Sequence, residues 1–194
     1  MKTQLLTLPL LIACLLISAC STITVRSDFD PKADFSGLKT YAWMPLPPNN
    51  TGDPRVDNPL VEKRIMDAID SQLAAKGFTK SSSGSADFLV GYAVAVNREM
   101  RAHVIDNYYA YPYPYYRGGR YGYPWITAYP QPQVRVYEYD QGTLVVDILN
   151  AKDKGLIFRG SAQAALRENP TPDQSTQRIN EAVSKILAKF PPQK

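Results

Sequence analysis

Apolar residues recur in this chain with two spacings, and each switch between them marks an element. Alternation comes first: in "TITVRSDFD", Ile23 and Val25 are separated by polar residues, the pattern of a half-buried strand. Leu38 to Met44, "LKTYAWM", reads as a second strand, and the Pro- and Asn-rich "PLPPNNTGDPRVDNP" after it as a loop. Asn58 and Pro59 then open a helix, a capping side chain followed by a residue whose φ is already set. Val61, Ile65, Ala68, Ile69 and Leu73 keep to one helical face, and Gly77 closes the element. Period two returns in "ADFLVGYAVAV". Phe88, Val90, Tyr92, Val94 and Val96 share one face, with Leu89, Gly91, Ala93 and Ala95 on the other. Strand, helix, strand over this distance suits a crossover between parallel strands.

Further along, "VRVYEY" and "TLVVDILNA" read as strands joined by a tight turn at Asp140-Gln141-Gly142, and "KDKG" turns the chain into "LIFRGSAQAAL". Three strands on short turns make an antiparallel meander. The last helix opens with Thr171 as cap, Pro172 at the first position and Gln174 at the capping-box position. Ile179, Val183, Ile186, Leu187 and Phe190 form its apolar stripe, and Pro191-Pro192 end it. Two amphipathic helices and about six strands predict an α+β fold. It is a two-layer α/β sandwich, a mixed, mostly antiparallel sheet with both helices on one face.

The first twenty residues follow neither spacing. Lys2 precedes an apolar run from Leu5 to Ile17, too short to span a bilayer comfortably, and then comes Ile17-Ser18-Ala19-Cys20. That pattern describes an export signal over residues 1–19, and "ISAC" resembles a bacterial lipobox, whose cysteine carries the lipid. The expected mature chain is a single domain, residues 20–194, attached to a membrane through acyl chains on Cys20. Cys14 would leave with the signal, so no free thiol and no disulfide would remain in an oxidising compartment. Ser21 after the cysteine points, by resemblance to sorted Gram-negative lipoproteins, to the outer membrane with the domain facing the periplasm. Without Lys2 the balance is 21 basic against 18 acidic side chains, or +3, too weak and dispersed for a nucleic-acid footprint.

Candidate chemistry is sparse. His103 is the only histidine, and it reads as a surface residue at a strand end. No nucleophile elbow, metalloprotease helix or phosphate-cradling loop is present, so no catalytic residue, metal ligand or cofactor is assigned. Asp28, Asp30 and Asp34 crowd together as acids do in a glycosidase or calcium site, but "DFDPKADF" reads as turn chemistry. Asp147 interrupts an apolar strand and belongs on the solvent face of the sheet.

One stretch stands apart. "NYYAYPYPYYRGGRYGYPW", Asn107 to Trp125, holds eight tyrosines and a tryptophan in nineteen residues. It belongs to an insertion at about residues 107–132. Prolines at 112, 114 and 124 and glycines at 118, 119 and 122 predict no regular structure across it. Tyr109, Tyr111, Tyr113, Tyr115, Tyr116, Arg117, Arg120, Tyr121, Tyr123 and Trp125 are candidate contacts to an envelope protein or a cell-wall glycan. A loop without a dedicated ligand and packing back on the sheet are the competing readings.

Four segments taken in order, "SDFDPKADFSGLKTYAW", "IMDAIDSQLAAKGF", "ADFLVGYAV" and "YEYDQGTLVVDILNAKDKGLIFRGSA", resemble bacterial lipoproteins of the domain-of-unknown-function 4136 family. The resemblance implies export, a lipid anchor and a Gly/Tyr-rich insertion, here richer in proline, and it supplies no catalytic residues. The functional expectation is a non-enzymatic binding or structural module of the envelope. An envelope glycan or ester hydrolase using Asp28 and Asp30, and an accessory subunit of an outer-membrane assembly, are the alternatives.

Overall fold

The structure, a computed structural model, describes residues 23–192 apart from 46, 83–84, 114–115, 118–119 and 122–124, and the backbone alone over 105–132. Strands are β1 (Thr24–Phe29), β2 (Thr40–Trp43), β3 (Thr79–Lys80), β4 (Phe88–Tyr113), β5 (Tyr116–Arg117), β6 (Arg120–Tyr121), β7 (Trp125–Asn150) and β8 (Leu156–Ala165). Two helices, α1 (Pro59–Ala75) and α2 (Pro172–Leu187), complete the fold. One six-stranded sheet has the order β1-β8-β7-β4-β2-β3, and β5 and β6 pair separately. Every ladder in it is antiparallel except β2 with β4 and β2 with β3. The sheet is therefore mixed and mostly antiparallel, with β2-α1-β4 as its parallel crossover.

The helix ends follow from their sequences. Asn58 Oδ1 accepts from Leu60 N at 2.9 Å, and Pro59 occupies the first turn where no donor is missed. At the far end Gly77 takes φ +88°. Gly77 N and Phe78 N then donate to the carbonyls of Ala74 and Leu73, closing α1 with a Schellman turn. Thr171 and Gln174 form the reciprocal capping box on α2.

Both helices cover one face of the sheet. Ile65, Ala68, Ile69 and Leu73 from α1, and Ala182, Val183, Ile186 and Leu187 from α2, close over Phe88, Val90, Val146, Ile148 and Phe158. Phe190 lies beyond the end of α2 and is fully buried. Its ring centroid sits 5.3 Å from Phe158, 5.6 Å from Phe78 and 5.7 Å from Phe88, so it joins the helix layer to three parts of the sheet side. Gly160 on β8 lets α2 approach, because a Cβ there would overlap Ile186 Cγ2. Asp70 of α1 accepts from Tyr41 Oη at 2.8 Å and Trp43 Nε1 at 3.0 Å, pinning the helix to β2. Burial, reinforced by Asp70, pushes the Tyr41 hydroxyl above the ordinary tyrosine value.

Two sequence expectations are overturned. Asp140-Gln141-Gly142 is not a turn: β7 runs through it, Gln141 and Gly142 pairing with Asn97 and Val96 on one side and Ala165 and Ala164 on the other. A two-sided ladder outweighs the local turn signal. Gly142 instead makes room for Leu166, whose Cδ2 lies 2.7 Å from where a Cβ would stand. Nor is 107–132 without regular structure, since the β4–β7 ladder continues to Tyr113 and Trp125. A two-stranded ribbon leaves alternate backbone donors facing solvent, which is where Pro112, Pro130 and Pro132 can be accommodated.

Candidate functional site

Sixteen residue pairs, from Arg98/Asp140 to Tyr113/Trp125, have no third strand beside them. They form a ribbon with a contour of about 50 Å at the usual rise per residue. Its root is held from the body. Arg55, in the loop before α1, donates to Asp140 Oδ2 at 2.6 Å and also pairs with Asp53, while Leu166 N donates to the Asp140 carbonyl at 2.8 Å. The hydrogen bonds that Arg55 donates to Asp53 and then to Asp140 raise its pKa above the ordinary value, and Arg55 in turn holds Asp53 below the usual carboxylate range.

Strand parity sorts the described part of the ribbon into two faces. The face continuing from Val94 and Leu144 carries Met100, Ala102 and Val104 opposite Glu138, Val136 and Val134. Met100 is 69% exposed, Val104 61%, Val134 64% and Val136 58%. The helices end before this point, so the apolar alternation continues with no described element over it. The other face carries Glu99, Arg101 and His103 opposite Tyr139, Tyr137 and Arg135. There the Arg101 guanidinium lies 5.1 Å from the Tyr139 ring centroid, and the His103 and Tyr137 rings meet edge-on at 6.1 Å. This side is cationic and aromatic, the opposite one aliphatic.

Of the candidate contacts, Tyr109, Tyr111, Tyr113 and Trp125 lie on the ladder and Tyr116, Arg117, Arg120 and Tyr121 on the small distal hairpin. Tyr115, Tyr123 and the lipid-attachment candidate Cys20 fall outside the described residues, as do the side chains of the other candidates. His103 is on the surface, but in the middle of a strand and not at its end. Its place follows from the unexpected length of β4.

The carboxylates take structural places. Asp28 Oδ1 accepts from Phe29 N, Asp30 Oδ1 from Lys32 N, and Asp34 Oδ1 from both Ser36 N and Ser36 Oγ, all between 2.7 and 2.9 Å. The Asp30 and Asp34 bonds are local turn chemistry, whereas Asp28, read as a turn residue from the sequence, lies on β1 opposite Arg159. Asp147 faces away from the helices and is held by Arg159 through paired bonds of 2.6 and 2.7 Å across β7 and β8. Among the described residues no group of three or more His, Cys, Asp or Glu could hold a metal. None of the described helices is long and apolar enough to cross a membrane.

What the sequence did not disclose is the apolar face of the ribbon. "VRVYEY" reads correctly as a strand, but its valines look like core residues until the extent of the helix layer is known.

A model of the family described as "Domain of unknown function (DUF4136)" matches residues 25–192. No curated protein matches the chain. Among solved structures, a PDZ domain protein from Parabacteroides distasonis is similar at 15% identity and a TM-score of 0.49. The match covers 89% of this chain and 36% of that one, so this chain spans little more than a third of its length. Two crystal forms of a PelC dodecamer from Paraburkholderia phytofirmans give TM-scores of 0.46 and 0.47 at 13% and 10% identity. They cover 86% and 89% of this chain and 95% and 100% of theirs. None of these scores reaches 0.5, and neither ligand nor assembly of this chain follows from them.

Proposed function

The chain belongs to the DUF4136 family, and from that premise we propose that it is a lipid-anchored lipoprotein of the cell envelope that works by binding and not by catalysis. Cys20 carries the lipid, the anchor sits in the outer membrane and the domain faces the periplasm. The β4–β7 ribbon is the contact surface, and its partner is an envelope protein. The observation that carries this reading is the row Met100, Val104, Val134 and Val136, aliphatic side chains more than half exposed on an element that leaves the body. Exposed apolar surface on a projecting element is the mark of a partner site. Supporting it, Asp28, Asp30 and Asp34 each accept from a neighbouring residue, Asp28 on β1 and the other two at turns, the ordinary structural use of such aspartates.

Photo-crosslinking residues placed at Val104 and Val136 in intact cells test the surface. One discrete adduct, absent when the crosslinker stands at exposed Lys152, is the expected result, and identical adduct patterns at all three positions sink the reading. The anchor is tested separately: Cys20→Ser must abolish fatty-acid incorporation and membrane partitioning. A second reading, contact with cell-wall glycan, draws on the Arg101–Tyr139 and His103–Tyr137 pairs of the opposite face. Retention on purified sacculi that is lost in Tyr137→Ala/Tyr139→Ala would favour it.

A further inference from the structure

The helix layer does not close completely. Between the first halves of α1 and α2, over the ribbon end of the sheet, lies a half-open pocket of about 160 Å³. Val94, Leu144 and Ala162 floor it, and Val61, Ile65 and Ile179 wall it. Small residues leave the space: Ala162, Ala164 and Ala165 line it from β8, while the room beside Gly142 is taken by Leu166, which also lines the pocket. Protein interiors seldom leave voids much larger than a water molecule, and an apolar one has no polar partners with which to hold water.

Its rim has the opposite character. Arg55, Arg167 and Arg178 all reach the pocket. Arg55 is occupied by Asp53 and Asp140, but among the described residues no carboxylate pairs with Arg167 or Arg178, neighbouring Glu168 and Asp173 included. Arg178 has only a 3.5 Å contact from Nη2 to the Ala165 carbonyl. Two guanidiniums without a carboxylate partner among the described residues, set over an apolar hole, fit a ligand with an anionic head and a hydrocarbon body. About 150 Å³ of such space is known to take a six-carbon ring, so one chain end enters here and two do not.

The location agrees. Ile23 also lines the pocket, three residues after Cys20, and three residues span about 10 Å at most. On the anchoring reading above, the mouth is held at headgroup level.

We propose that this pocket binds the chain of a single-chain anionic amphiphile, its carboxylate or phosphate held by Arg167 and Arg178. The test uses the full chain in zwitterionic lipid nanodiscs, with photoreactive diazirine-bearing decanoate as probe and the matching decanol as neutral control. Adducts should map to the peptides holding Val61 and Ile179. They should fall about tenfold with decanol and in Arg167→Gln/Arg178→Gln, the loss expected of a charge-assisted contact. Ala164→Met fills the hole and should block labelling with the melting temperature retained. Equal labelling by the neutral probe, or adducts scattered over the surface, overturns the proposal. That result with Cys20 acylation intact leaves the anchor standing. Labelling of a Cys20→Ser chain that no longer partitions with membranes supports the pocket without it.

Discussion

The pair Val90 and Ile148 and the pair Val104 and Val134 lie on the same two strands, on the same face and in one unbroken ladder. The first pair is 0% exposed, whereas the second is 61% and 64% exposed. Neither residue type nor strand geometry separates them. The helix layer does, covering the sheet at Val90 and ending before Met100. An alternating apolar strand declares that one face wants cover, and it leaves open whether the same chain supplies it. In the body, α1 and α2 do so. On the ribbon no described element does so, and the proposed partner site rests on that contrast.

Several substitutions would break or sharpen that contrast. Phe190→Ala acts at the centre of the covered region, where four other aromatic rings lean on one side chain. It should cost about 3–5 kcal/mol, measured as a drop in the urea-unfolding free energy. Gly160→Val lifts α2 off the sheet and should cost about 1–3 kcal/mol by the same measurement. A loss no larger than that of Gly37→Ala, where nothing lies within 4 Å, would show that the two layers are not tightly joined at Gly160.

Acid should act on the body through its tied aspartates. Asp87 accepts from Thr40 N, Thr40 Oγ1 and Lys39 N, which hold its carboxyl below the usual range; Thr51 and Gly52 do the same for Asp57, and Arg55 for Asp53. A carboxyl whose pKa is depressed by folding stabilises the fold fully above its unfolded value, about 3.9. That stability is lost as the pH falls below it toward the lowered folded value. The urea midpoint should therefore be level from pH 7 to about 5 and fall below about 4, and the fall should be shallower in Asp87→Asn.

The smallest effect on stability belongs to the ribbon. Met100→Gln/Val134→Thr touches no covered side chain and should shift unfolding by under about 0.5 kcal/mol, while removing the partner adducts formed from Val104 and Val136. Destabilisation comparable with Gly160→Val would mean that these residues are covered by the chain itself.

Much of this was legible beforehand. The helices announced themselves through caps and period, Asn58-Pro59 and Thr171-Pro172-Gln174 at the starts and Gly77 at an end, because these are local physics. Asp140-Gln141-Gly142 misled for the complementary reason. Its turn signal is local, whereas the ladder that overrides it joins residues far apart, Gln141 to Asn97 and Ala165. The tyrosine-rich stretch misled in the same way, its prolines arguing against a strand that cross-strand pairing sustains. Arg55, 85 residues from Asp140 in sequence, carries no sign in its own surroundings that it braces the ribbon. The exposure of Val104 could not be read at all, since it depends on where a helix stops.

The register has a consequence for posture. Thr24 pairs with Gln163, Gln163 with Thr143, and Thr143 with Ala95, so the chain enters β1 at the end of the sheet where the ribbon departs. Entry and departure are three strands apart, about 14 Å. With Cys20 in the bilayer, the tether before Ile23 is far shorter than the ribbon's length of about 50 Å. An upright ribbon would have to drive straight into the membrane. On the proposed Cys20 anchor the body would instead lean over, with the ribbon along the lipid surface, and the proposed partner would then be one that reaches that same leaflet.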